Sequence, residues 1–158
     1  MLVKEIMVKD VISVSLDSPV EECARLMQEH RISGLPVLDA AGRLAGIITE
    51  GDLIRRLARY KVPGFLPILG GLVFLDDPQR FVGELRRAMA LHVGRLMTRD
   101  VITAAPEDTL EKAATKMLRR QVKRLPVIDQ AGTLAGIIAR RDLVEVLYPA
   151  EAHDHAPA

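Results

Sequence analysis

LPVLDAAGRLAGIITEGDL, residues 35 to 53, recurs 90 positions later as LPVIDQAGTLAGIIARRDL, residues 125 to 143. Each stretch reads as strand, turn, strand and helix start. Leu35-Pro36-Val37-Leu38 and Leu125-Pro126-Val127-Ile128 are too short and too proline-marked for helices, and Asp39-Ala40-Ala41-Gly42 and Asp129-Gln130-Ala131-Gly132 are turn sequences. The apolar runs Leu44 to Ile48 and Leu134 to Ile138 then return as hairpin partners, and a helix is predicted to begin near Gly51 or Arg141.

Working outward, the match extends without a gap from Val3 to Leu57 against Val93 to Leu147, with 22 of 55 paired positions identical. The chain is therefore two copies of one structural unit, a pattern that governs every later assignment. Each copy opens on a predicted short strand, Asp10-Val11-Ile12-Ser13-Val14 or Asp100-Val101-Ile102-Thr103-Ala104. A helix start follows. Ser18-Pro19-Val20-Glu21 supplies an N-cap serine, a proline at the first helical position and a glutamate at N3, and Asp108-Thr109-Leu110-Glu111 repeats it with an aspartate cap. Val20, Cys23, Ala24 and Met27, and in the second copy Leu110, Ala113, Ala114 and Met117, recur at helical spacing and mark the core face. Strand, helix, strand, strand, helix is an α+β arrangement.

This divides the chain into a first motif (1–57), an insertion (58–92), a second motif (93–148) and a disordered tail (149–158). A copy of about 55 residues is marginal alone, whereas the whole chain can bury a sizeable core. The insertion exceeds an ordinary structureless connection. It carries no charge from residue 62 to 75, is broken by Pro63, Gly64, Pro67, Gly70 and Gly71, and continues into an amphipathic helix predicted from Asp77-Pro78. An apolar run of 14 residues is too short to span a bilayer, which needs about 20. It is expected to cover the module's own core or to form a self-association or partner surface, with membrane contact as the third reading.

With 22 basic and 21 acidic residues and five aromatics, none of them Trp, the chain has neither the bulk charge nor the stacking platforms expected of a nucleic-acid binder. The single cysteine, Cys23, excludes an internal disulfide and sits on a core face, where a buried, inert thiol is expected. The N-terminus is charged rather than apolar, unlike a signal peptide, so a cytoplasmic location is expected. His153 and His155 lie in the polar tail and His30 and His92 stand apart, so no metal site and no catalytic constellation is expected; the chain reads as a non-enzyme.

Chemistry concentrates where the second hairpin strand ends. Thr49 closes an apolar strand and Asp52 follows three residues later at a helix start, so the two point the same way. A carboxylate there can accept both hydroxyls of a ribose cis-diol, while the hydroxyl and the helix-start amides favour ribose or an anion. The same pair can instead cap the helix and complement its dipole. Spacing alone leaves both readings open.

The strand, hydroxyl and aspartate signature, the hydrophobic-Pro-Val-x-Asp strand before it and the tandem duplication together resemble a CBS domain pair, or Bateman module, over nearly all of the chain except residues 58–92 and the tail. The resemblance implies two motifs packed as a pseudo-two-fold pair. It further implies a regulatory module that binds adenosine ligands, such as AMP, ADP, ATP or S-adenosylmethionine, between the motifs and signals to a homodimer partner or a regulated protein. By that resemblance Thr49 and Asp52 contact ribose, Val11, Ile12 and Ser13 flank the base, and Leu35, Pro36 and Ile48 form apolar walls. Asp142 keeps the second ribose carboxylate, but Ala139 stands where the hydroxyl would be. The second copy instead carries Lys123 and Arg124 before its Leu-Pro strand, where the first has Ser33 and Gly34, and Arg140 and Arg141 where the first has Glu50 and Gly51. Two unequal sites are expected, one stronger on ribose and the other on phosphate. The alternative is a structural or interaction protein with empty clefts that assembles through residues 58–92.

Overall fold

A computed structural model describes residues 1–57, 65–68, 71–74, 77, 79–80, 82–83 and 91–149. It is a mixed α+β structure in which each copy forms the predicted hairpin. In the first, β1 (Val14–Ser15) runs parallel to β2 (Gly34–Leu38) through Val14↔Val37 and Ser15↔Leu38, and β3 (Leu44–Thr49) lies on the other side of β2. α1 (Val3–Ile6) precedes this sheet, α2 (Val20–Glu29) connects β1 to β2, and α3 (Glu50–Leu57) follows β3. β4 (Phe65–Ile68) and β5 (Gly71–Phe74) form an antiparallel pair inside the insertion.

The second copy contains α4 (Leu110–Arg119), β6 (Arg124–Ile128), β7 (Leu134–Ala139) and α5 (Arg140–Leu147). β6 and β7 are antiparallel, with Leu125 opposite Ile138. In both hairpins a glycine turns the chain at positive φ, Gly42 at 76° and Gly132 at 82°, a conformation that side chains with a Cβ rarely adopt.

The compact units are not the two copies as they follow in sequence. One unit comprises Met1–Ile12, Gly42–Leu44 and the described residues from Asp100 onward; the other comprises Ser13–Ala41 and the described residues of Ala45–Arg99. Within the first unit, Val8 and Ile137 exchange backbone hydrogen bonds of 2.9 Å each, so the N-terminal arm covers the free edge of β7. Within the second, Ile47 and Thr98 exchange bonds of 2.9 and 2.8 Å, and residues 93–99 cover the edge of β3. Each arm thus satisfies a row of backbone groups that would otherwise be an open pairing edge. Val3 from the arm joins Ala104, Ala113, Met117, Leu125, Val127, Ile138 and Leu143 in the core of the first unit. Val14, Val20, Cys23, Met27, Leu35, Val37, Ile48, Val93 and Met97 are buried in the second.

Several local expectations are corrected. Residues 10–13 and 100–103 are not strand; only Val14–Ser15 pairs in the first copy, and in the second a single parallel bridge, Ala104↔Val127, remains. Both helix caps lie one residue later than the sequence pattern placed them. Pro19 precedes α2 without a capping side chain, while the Ser18 hydroxyl turns back to accept from the Ser15 amide at 3.2 Å. Thr109 caps α4, accepting from the Lys112 amide at 3.2 Å, which leaves Asp108 for other partners. Of the helix expected from Asp77-Pro78, residues 79, 80, 82 and 83 are helical and residues 78, 81 and 84–90 lie outside the described residues, as do residues 62–64, 69–70 and 75 of the apolar run and the tail beyond Pro149.

Candidate functional site

β3 ends at Thr49 and α3 begins at Glu50, so Thr49 is the capping residue and Asp52 stands at N3. The Thr49 amide and hydroxyl both donate to Asp52 Oδ2 at 2.8 Å, and the Asp52 amide reaches back to Thr49 Oγ1 at 3.4 Å. This is a reciprocal cap, so the capping alternative is realised. The other carboxylate oxygen, Oδ1, is paired with Nη2 of Arg55 one turn along α3. Asp52 is only 7% exposed, and such burial of a charge is tolerable because every bond it accepts is charge-assisted. The Glu50 amide donates to the Ser33 carbonyl at 3.1 Å, which places Ser33 and Gly34 beside this corner.

The second copy rebuilds the corner with one element missing. The Ala139 amide donates to Asp142 Oδ2 at 2.7 Å, but Ala139 has no hydroxyl to complete the reciprocal cap. The residue in the place of Arg55 is Glu145. The Arg140 amide donates to the Lys123 carbonyl at 2.9 Å, and Arg124 pairs with Ala139 across the hairpin. Lys123, Arg124, Arg140, Arg141 and Asp142 are therefore gathered at one end of the β6–β7 hairpin. Lys123, Arg140 and Arg141 are exposed and Arg124 and Asp142 half-buried; Arg140 Nε also donates to the Val122 carbonyl at 3.1 Å, which orients its guanidinium.

Leu35, Pro36 and Ile48 are fully buried beneath the first corner, so their side chains act as its foundation in this structure. Ser13 groups with the unit that holds Thr49 and Asp52, whereas Val11 and Ile12 group with the other. Arg55 joins the residues that the sequence pattern singles out, and its i, i+3 spacing from Asp52 on a helix start is the signal that marks it. Two residues singled out earlier have structural roles. Cys23 is fully buried, and burial together with the charge of Glu22 pushes its thiol up to about 11, so it is not a thiolate near neutral pH. His92 Nδ1 lies 2.7 Å from the Asp17 carbonyl, holding the start of the 93–99 arm.

Among the described residues no helix is long and apolar enough to cross a membrane. The CBS domain model matches residues 3–59 and 93–149. An uncharacterized protein of Methanocaldococcus jannaschii is 36% identical over 154 residues, which cover 93% of this chain and 91% of that protein. The inosine-5'-monophosphate dehydrogenase of the same organism is 32% identical over 151 residues, 95% of this chain, but the match spans only 24% of that enzyme. A CBS domain pair solved in complex with 5'-methylthioadenosine and S-adenosyl-L-methionine has a TM-score of 0.70 and 26% identity, covering 93% of this chain and 95% of that one. Two motif matches, a relative covered over nine-tenths of both chains and a shared fold agree: this chain belongs to the CBS domain family and carries two CBS motifs in tandem.

Proposed function

We propose that the chain is a regulatory module that senses adenosine compounds through two unequal corners. The observation that carries this reading is the duplicated strand-to-helix carboxylate, Asp52 and Asp142, held by the strand-end amide at 2.8 and 2.7 Å, with four basic residues around the second only. Both aspartates are the acceptors we assign to ribose hydroxyls. Lys123, Arg124, Arg140 and Arg141 fit the second corner to a phosphorylated ligand, AMP, ADP or ATP. With Ser33, Gly34 and Glu50 in their place, the first corner suits an uncharged or cationic 5' group, as in methylthioadenosine or S-adenosylmethionine; the related pair solved with both compounds supports that class. Ser13 flanks the base at the first corner, where Leu35, Pro36 and Ile48 support the wall. A ligand with different affinities for two arrangements of the module shifts their populations, and a partner reads the shift.

Isothermal titration of the chain with ADP and S-adenosylmethionine tests the assignment. Asp142→Asn is expected to weaken ADP about ten- to a hundredfold, the value of one or two charge-assisted bonds to ribose, and to leave the other ligand's binding unchanged. Asp52→Asn gives the converse. ADP affinity also falls with added salt, as expected of a phosphate held by exposed cations. If no adenosine compound binds, the sensing role fails.

One observation favours an interaction role alongside sensing. Val144, Leu147 and Tyr148, at and just beyond the end of α5, are 56%, 69% and 78% exposed, a spacing that lines one helix face. That face suits a homodimer contact, and Val144→Glu is expected to shift sedimentation toward the monomer; an unchanged sedimentation coefficient would remove α5 from the interface.

A further inference from the structure

We infer that Arg55 is a plug that competes with ribose for Asp52, so that the first corner is closed by its own helix until a ligand displaces the guanidinium. The inference rests on the proposed ribose role of Asp52 and adds a residue that sets the affinity and selectivity of that corner. Asp52 Oδ2 is committed to the amide and hydroxyl of Thr49, which leaves Oδ1 as the oxygen on which a diol can gain a bond, and that oxygen is paired with Arg55 Nη2. A diol hydroxyl and a guanidinium N–H are both donors, so they compete for the same lone pairs.

The two partners differ in freedom. Asp52 is fixed, with its side chain 6% exposed, while the Arg55 side chain is 71% exposed and can swing into water without disturbing the core. The second copy shows the contrast. At the equivalent position Glu145 is an acceptor of the same charge as Asp142 and cannot cover it. The second corner is open and cationic, whereas the first is closed by a cation of its own. A ligand at the first corner therefore binds only in the fraction of molecules whose Arg55 has left, which lowers its apparent affinity by that fraction.

Adenosine separates this role from phosphate binding because it has a ribose and no charge. Titrations are made with the full chain carrying Asp142→Asn, so that the first corner alone reports, and in that background Arg55→Ala and Arg55→Gln are compared with Arg55. Both are expected to bind adenosine roughly two- to fivefold more tightly, the range set by an ion pair with one exposed partner. Added salt weakens the internal ion pair, so adenosine binding should tighten with salt when Arg55 is present and show no salt dependence when it is absent. Unchanged or weaker adenosine binding in both Arg55 variants, with binding still lost on Asp52→Asn, overturns the plug and leaves the ribose assignment standing. Adenosine binding that survives Asp52→Asn, or is absent from every variant, overturns the ribose assignment and the plug with it.

Discussion

Asp108→Ala is expected to lower the stability of the protein by about 2–3 kcal/mol, because Asp108 is a buried junction that holds two ammonium groups and a backbone amide. It is 5% exposed. Its Oδ1 meets Lys112 Nζ at 2.6 Å, and its Oδ2 accepts from Lys116 Nζ at 2.9 Å and from the Ala105 amide at 3.1 Å. Lys116 Nζ also donates to the Thr103 carbonyl at 2.9 Å, so one ammonium ties α4 to the segment before it. The main chain of the same turn receives the N-terminal arm, with the Val3 amide on the Asp108 carbonyl at 2.8 Å and the Lys4 amide on the Pro106 carbonyl at 3.0 Å. Removing the carboxylate leaves the Ala105 amide and Lys116 short of an acceptor and loosens the turn on which the arm rests. Lys112, 61% exposed, returns to water at little cost. At about 2–4 °C per kcal/mol for a chain of this size, the thermal midpoint falls by about 5–10 °C. Ser18→Ala, at the equivalent position of the first copy, is the matched control and is expected to move it by far less.

The same contribution has a pH signature. Burial alone would raise the Asp108 carboxyl, but hydrogen bonds from Lys112, Lys116 and the Ala105 amide and the charge of Lys116 outweigh it and hold the group well below its ordinary value of 3.8. A carboxyl whose folded value is depressed stabilises the fold fully above the unfolded value, and loses that contribution as pH falls toward the folded one. The difference in stability between the wild type and Asp108→Asn is therefore flat from neutral pH down to about pH 5 and shrinks below about pH 4. A difference that stays constant down to pH 3 would show that the carboxylate charge is not what holds the turn.

The repeat, the hairpins and the strand-to-helix corners were legible in the sequence because local chemistry determines them. Leu-Pro-Val-x-Asp, a glycine turn and an apolar return strand specify the same hairpin in any surroundings, and Thr49 with Asp52 is a local capping pattern. The arms were not legible. Val3 and Val93 occupy the same place in the two copies, and so do Met7 and Met97, so nothing in the sequence says on which of two equivalent sheets each should lie. The helix starts failed for a related reason. Ser18 and Asp108 have the chemistry of caps, but Asp108 is drawn off by Lys112 and Lys116 and Ser18 by the Ser15 amide. These competitors all lie within eight residues, so the sequence displays them, but which of them takes the acceptor is decided by the folded geometry of the turn. Arg55 belongs to the same class: its i,i+3 spacing from Asp52 is visible in the sequence, but that it covers the buried carboxylate follows only from the folded helix start.

Gly136→Ala should cost about 1–3 kcal/mol although it adds a single methyl group to a strand, because the N-terminal arm occupies the space the methyl would need. A Cβ at Gly136 would sit 2.6 Å from Met7 Sδ and 2.9 Å from the Val8 carbonyl oxygen. The sulfur can be moved by rotating a flexible side chain, but the carbonyl belongs to the backbone that pairs with Ile137, so relief requires the arm to lift from β7. Gly46 repeats the arrangement more tightly, at 2.5 Å from Met97 Sδ and 2.8 Å from the Thr98 carbonyl oxygen, and Gly46→Ala is expected to cost at least as much. A double-mutant cycle separates the two contacts. Met7→Ala in the Gly136→Ala background should recover part of the loss, giving a pair less destabilised than the sum of its singles, while the remainder reports the backbone contact. Gly42→Ala is the contrasting case: nothing lies within 4 Å of its added Cβ and only its φ of +76° resists substitution, so its cost should not change when Met7 or Met97 is truncated. Additive losses for Gly136→Ala and Met7→Ala would mean that the arm does not lie on β7 in solution. Coupling confined to the Gly136–Met7 and Gly46–Met97 pairs would establish the arms as parts of the two sheets, each fixed in place by a glycine that admits a methionine.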